Sequence, residues 1–200
     1  MLLTDMLLCG IDEAGRGALA GPVYAAAVIL PETFDVSVLD DSKKLSPKKR
    51  EKARAVILEN ALYWHIAWAS QELIDRINIL QATLVAMKEA FDQVFIRYAV
   101  HTPHDALKVI VDGTQYPAIH GNFELCAEPH ADGRYPCVMA ASILAKTERD
   151  RCMMGYHKMY PQYRYDLHKG YGTVLHRSLL TQYGPSPIQR LSFKLKNAVQ

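Results

Sequence analysis

The chain reads as an α/β protein: a mixed β-sheet covered by helices, with a small helical C-terminal extension. Three observations predict this. Apolar runs of strand length alternate with segments whose apolar residues recur every three to four positions, in the order ββ, α, β, α, β, β, α. Two hundred residues with 50% apolar and 22% charged side chains suit one domain-sized core and exclude a disordered or collagen-like chain. Beyond about residue 160 the composition turns to Tyr, His, Lys and Gly, so 1–160 is expected as the main domain and 161–200 as a basic helical region packed on it.

The elements follow in order. Residues 7–12 and 23–30 are short apolar runs joined through Gly15 and Gly17, two buried strands able to pair as a hairpin. Ser46-Pro47 supplies an N-cap and a first-turn proline for a helix reaching about Asn60. Residues 62–69 alternate as a strand does. From Asn78 to about Val100, Leu80, Leu84, Met87, Phe91, Val94, Phe95 and Tyr98 mark a long helix. Strands are expected at 108–111, ending at Asp112-Gly113, and at 123–127. A helix over 137–160 opens with the apolar CVMAASILA, which suits burial against the sheet, and a short helix is expected over 173–183.

Composition also bounds the setting. The longest uncharged stretch, Gly17 to Pro31, is shorter than the roughly 20 residues needed to span a bilayer. The first residues carry an acid and no base, unlike a secretory signal, so a cytoplasmic protein is expected. Cys9, Cys126, Cys137 and Cys152 form no C-x-x-C pair and read as free thiols. A zinc site from Cys126, His130 and Cys137 with His101 and His104 has no matching spacing and is disfavoured. Net charge is +2, but residues 146–200 hold ten Lys and Arg against three acids, +7, which leaves −5 for residues 1–145. A basic end on an acidic body suits a polyanionic partner.

Asp12, Glu13, Asp112 and Asp132 stand at strand ends or loop starts, each near a glycine. Converging carboxylates repel one another unless a hard divalent cation neutralises them, so together they predict magnesium or manganese, and two such ions suit phosphodiester cleavage. Asp12 and Glu13 would face opposite sides of a regular strand, so joint ligation requires that strand to end or bulge there. Lys43, in the loop before the first helix, suits a phosphate. Ser142, Lys146 and Arg149 form one polar stripe at i, i+4 and i+7 on the apolar helix. Six of the 11 tyrosines follow residue 145, interleaved with bases, as a surface that stacks on sugars or bases would require.

The stretches GIDEAGRG (10–17), LDDSKKLS (39–46), INILQAT (77–83), VDG (111–113), AASILAKTERD (140–150), HKGYGTVLH (168–176) and RLSF (190–193) resemble, in order, the type 2 ribonuclease H family, and within it bacterial ribonuclease HII. The resemblance implies a ribonuclease H-like fold. It implies an endonuclease that hydrolyses the RNA strand of RNA–DNA hybrids and nicks DNA duplexes 5′ of embedded ribonucleotides, leaving 3′-hydroxyl and 5′-phosphate ends. Roles in ribonucleotide excision and RNA primer removal go with that activity. It also implies Asp12, Glu13, Asp112 and Asp132 as catalytic metal ligands, and Gly15, Arg16 and Gly17 as backbone contacts to the ribose 2′-hydroxyl and phosphates. Tyr171 would stack on the next deoxyribose, and Lys43, Ser142, Lys146 and Arg149 would bind or order the substrate. The chain departs from the family where His130-Ala131 replaces Lys-Gly before Asp132, and where Gln189 replaces His before Arg190. The altered loop motivates a second reading, a hybrid-binding protein without cleavage. The first strand begins within a few residues of the start, as in ribonuclease HII rather than the related ribonuclease HIII. A monomer is expected, and no residue pattern supports a replication-clamp contact by the terminal FKLKNAVQ.

Overall fold

The computed structural model describes residues 6–39, 46–101 and 106–193; Lys43, His104 and the tail 194–200 lie outside the described residues. Five strands form one sheet in the order β3-β2-β1-β4-β5. They are β1 (Leu7–Ala14), β2 (Val23–Ile29), β3 (Tyr63–Ala69), β4 (Leu107–Asp112) and β5 (Glu124–Glu128). The β1–β2 and β2–β3 pairs are antiparallel, whereas β1–β4 and β4–β5 are parallel. The sheet is therefore mixed, and the expected hairpin of the first two strands forms.

Period-two burial sorts each strand between two apolar layers. Cys9, Ile11, Ala25, Ala27, Val109 and Val111 meet Ala86, Ala90, Phe91 and Val94 of α3 (Ile79–His101). Ala26 and Val28 meet Ile57 of α1 (Pro47–Asn60) and Ala140, Ala141 and Leu144 of α4 (Pro136–Met159) on the other face. The Ser46 hydroxyl caps α1, accepting the Lys49 N–H. Among the described residues no helix is long and apolar enough to cross a membrane.

Two expectations need correcting. β1 does not stop at Asp12: it continues to Ala14 in unbroken register, Asp12 opposite Ala26 and Glu13 opposite Ala25. A further helix, α2 (Gln71–Ile77), lies where none was expected; Ser70 caps it, and Asn78, at φ 70°, separates it from α3.

The C-terminal part holds α5 (Tyr165–His168) and α6 (Val174–Tyr183). It is stitched to the loop after β1. Leu19 N–H donates to Gly170 C=O (2.8 Å), Gly21 N–H to Ile188 C=O (2.8 Å) and Arg190 N–H to Leu19 C=O (2.9 Å). Leu19, Ala20, Met153, Tyr163, Tyr165, Leu180 and Ile188 close a third apolar cluster beneath these bonds.

Candidate active site

The site is built on α4 running along β1. A Cβ at Gly10 would lie 2.2 Å from the Val138 nitrogen, so only glycine lets the helix touch the strand. Two residues along a strand and one turn along a helix advance by nearly the same distance, about 6 Å. Contact at Gly10 and Val138 therefore brings Asp12 level with Ser142, and the Ser142 hydroxyl hydrogen-bonds the Asp12 carboxylate. Further along, Gly15 meets Arg149: a Cβ at Gly15 would lie 2.0 Å from Arg149 Nε, and its φ of +100° also calls for glycine.

Asp12, Asp112 and Asp132 offer carboxylate oxygens that all lie within 4.8 Å of one another. Parallel pairing of β1 with β4 puts the first two side by side. The third comes from the 3-10 turn Ala131–Gly133, tied to β4 because Asp112 accepts the Ala131 N–H at 2.7 Å. The replacement of Gly by Ala at 131 is harmless to this geometry. The left-handed residue is His130, at φ 60°, and any residue but proline at 131 supplies the N–H. Glu13, expected with the other three as a metal ligand, stands outside the trio, because β1 runs on without a bulge and turns it to the opposite face from Asp12. Its Oε1 accepts from Arg16 Nη1 at 3.4 Å, while its buried Oε2 has no partner among the described residues.

Burial, and after it the charges of Glu13 and Asp112, push the Asp12 carboxyl well above the usual range. Burial also raises Glu13, against the pull of Arg16. Under-compensated carboxylates with an all-oxygen donor set fit a hard divalent cation. Among the described residues no His or Cys group forms an alternative metal cluster.

The remaining expected residues divide into two kinds. Lys146 is part-exposed, bonded to Asp150 (2.7 Å), with its Nζ 5.5 Å from the Tyr171 ring centre. Gly17 and Arg16 are exposed on the loop beside the acids, and Tyr171 is half-buried. Arg149, expected at the substrate, is instead wholly buried. Its nitrogens donate to the carbonyls of Pro22 (3.1 Å), Lys169 (2.9 Å) and Ala20 (3.2 Å), and its guanidinium lies 5.1 Å from the Tyr171 ring, so it orders the loop rather than reaching solvent. Lys146 also lines a groove of about 680 Å³ with Arg50, Lys158 and Lys169.

Sequence reasoning missed three positions. Arg190, fully buried, donates from Nε to Gly21 C=O (2.8 Å) and from Nη1 to Arg16 C=O (2.9 Å). His168 and His176 stack at 4.2 Å beneath the turn that carries Tyr171. Gly170 N–H donates to His168 Nδ1, so its Nε2–H donates to Tyr163 C=O, and His176 Nδ1 donates to Tyr171 C=O. The only sequence signal was their place in the HKGYGTVLH and RLSF stretches, since a buried Arg or His looks no different from a surface one.

Comparison with known proteins bears on this geometry. A family model described as ribonuclease HII matches residues 9–196. Ribonuclease HII of Treponema denticola is 51% identical over 197 residues, covering 96% of this chain and 100% of that protein. Ribonuclease HII of Idiomarina loihiensis is 46% identical over 187 residues, 94% of this chain and 95% of that one. The crystal structure of ribonuclease H2 from Pyrococcus horikoshii superposes with a TM-score of 0.74 at 25% identity, covering 94% of both chains. The PCNA:RNase HII complex from Archaeoglobus fulgidus gives 0.70 at 25% identity, covering 92% of each chain.

Proposed function

The chain belongs to the ribonuclease HII family and is a ribonuclease H hydrolase, and from that premise we propose that it nicks DNA duplexes 5′ of embedded ribonucleotides as well as cutting the RNA strand of RNA–DNA hybrids. The observation that carries the proposal is the carboxylate trio beside an exposed, glycine-bounded loop. Asp12, Asp112 and Asp132 would hold divalent ions, with Glu13 completing the negative field. Two bound magnesium or manganese ions would supply the Lewis acidity that in-line phosphodiester displacement requires. Ser142 keeps Asp12 turned toward the trio. Gly15, Arg16 and Gly17 present main-chain groups to the ribose and adjoining phosphates, Lys146 neutralises a phosphate, and Tyr171 packs against the following sugar. Lys43 belongs to the same phosphate-binding set.

Product ends of 3′-hydroxyl and 5′-phosphate, and a place in ribonucleotide excision and primer removal, complete the reading, with the protein working as a cytoplasmic monomer. The Archaeoglobus neighbour was solved with PCNA, which supports a sliding clamp as a partner for this chain as well.

A DNA duplex with one ribonucleotide tests the proposal. Wild type is expected to cut it 5′ of the ribonucleotide in magnesium and not in chelator, and Asp12→Asn to lose about a thousandfold or more in rate, as removal of a charge-stabilising group does. Cutting in chelator, or full activity in the variant, would overturn it. Salt-sensitive binding without any product would favour the non-cleaving reading.

A further inference from the structure

The loop after β1 has its carbonyls turned inward onto two buried guanidiniums. Arg149 takes those of Ala20 and Pro22; Arg190 takes those of Arg16 and Gly21. In a planar trans peptide the C=O and the following N–H point in opposite directions. With Arg16 C=O drawn inward, Gly17 N–H points outward. Gly17 is exposed, its N–H donates to no group among the described residues, and a Cβ there would meet nothing within 4 Å. The Arg16 side chain pairs with Glu13 at 3.4 Å, and the 16–17 peptide follows two residues after the end of β1, the strand that carries Asp12 and Glu13.

We propose that Arg190 is a positioning residue that fixes the 16–17 peptide so that Gly17 N–H donates to a substrate oxygen, of either the 2′-hydroxyl or an adjoining phosphate; this rests on the ribonucleotide-directed reading above. Arg190 is itself held in place. Asp75 of α2 accepts the N–H groups of Leu191 and Ser192 (2.9 Å each) and the Ser192 hydroxyl (2.6 Å). A buried guanidinium is costly, more so near a second one, and burial followed by the charge of Arg149 lowers its pKa to about 9. An apolar side chain would fill the same space without that penalty, but it could not orient two carbonyls at once. Lysine lacks the planar fork that matches both.

The test compares wild type, Arg190→Lys, Arg190→Met and Asp75→Ala on a DNA duplex carrying one ribonucleotide. Turnover, duplex affinity without metal, and melting temperature are measured for each. Arg190→Lys and Asp75→Ala are expected to lose about tenfold in kcat, and Arg190→Met about a hundredfold, with affinity within about threefold of wild type, because a small misplacement of a contacting group acts on the reaction more than on binding. Asp75 is half-buried, carries no buried guanidinium and lies on α2 outside the loop, so its variant reads the loop even if Arg190→Met does not fold. Unchanged kcat in Arg190→Lys and Asp75→Ala, or a loss confined to KM, would overturn the positioning role. Failure of wild type itself to cut would instead overturn the ribonucleotide reading. Repeating the comparison with a methylphosphonate beside the ribonucleotide separates the two oxygens. A defect that persists assigns the contact to the 2′-oxygen, and one that disappears assigns it to the phosphate.

Discussion

Asp12 shows how function and stability oppose each other at one residue. Its carboxyl is raised above the usual range by burial and by Glu13 and Asp112, so in the metal-free protein protonation of this group favours the folded state. Stability from this group is fully present below the ordinary carboxylate pKa and is lost as pH rises through the elevated one. Metal-free Asp12→Asn is therefore expected to melt at or above the wild-type temperature at pH 8 while losing activity; a clearly lower melting temperature would contradict the repulsion argument. Magnesium binding should release protons, measurable by calorimetry in buffers of different ionisation enthalpy. At Gly15, a Cβ meets both a positive φ and the Arg149 side chain, so Gly15→Ala should cost about 1–3 kcal/mol by denaturant melts. The three aspartates were legible as a group because each lies close to a glycine, Asp112 at the end of β4, Asp132 in a loop turn and Asp12 two residues before the end of β1. Arg190 was not: a letter R carries no mark of whether its guanidinium meets water or carbonyls.

At the scale of elements, the long helices and most strands were legible because their period persists over many residues. α2 escaped because seven residues make two turns, too few to show a face, and Asn78 joins it directly to α3. The end of β1 was misread because the glycines after Ala14 suggested an earlier break. The HKGYGTVLH turn yields a pH prediction. Burial, then the neighbouring His168, pushes His176 down to about 4, and burial lowers His168 as well. Neutral imidazoles thus contribute stability in full above the ordinary value near 6.5, and that contribution erodes as pH falls from there toward about 4. Thermal melts at pH 7.5 and 5 should differ by several degrees in wild type and by less in His176→Phe.

For the molecule as a whole, the +7 of residues 146–200 overstates the charge a polyanion meets. Arg149 and Arg190 are buried, and Arg151 pairs with Glu51 from outside the segment, while the pairs Lys146–Asp150 and Arg164–Asp166 are already cancelled within the +7. Duplex binding should still weaken with salt, and Lys146→Ala should reduce the slope of log affinity against log salt by about one, measured by fluorescence anisotropy. The stitching of residues 15–22 to 168–190 has a consequence in time rather than space. The two halves of that seam are separated by most of the polypeptide, and contacts of such long range form late. During synthesis the sheet strands and α4 leave the ribosome well before Arg190 does. The loop that would face the substrate therefore stays unfastened until Arg190 has been made, so a growing chain can carry assembled acids and still lack ordered selectivity.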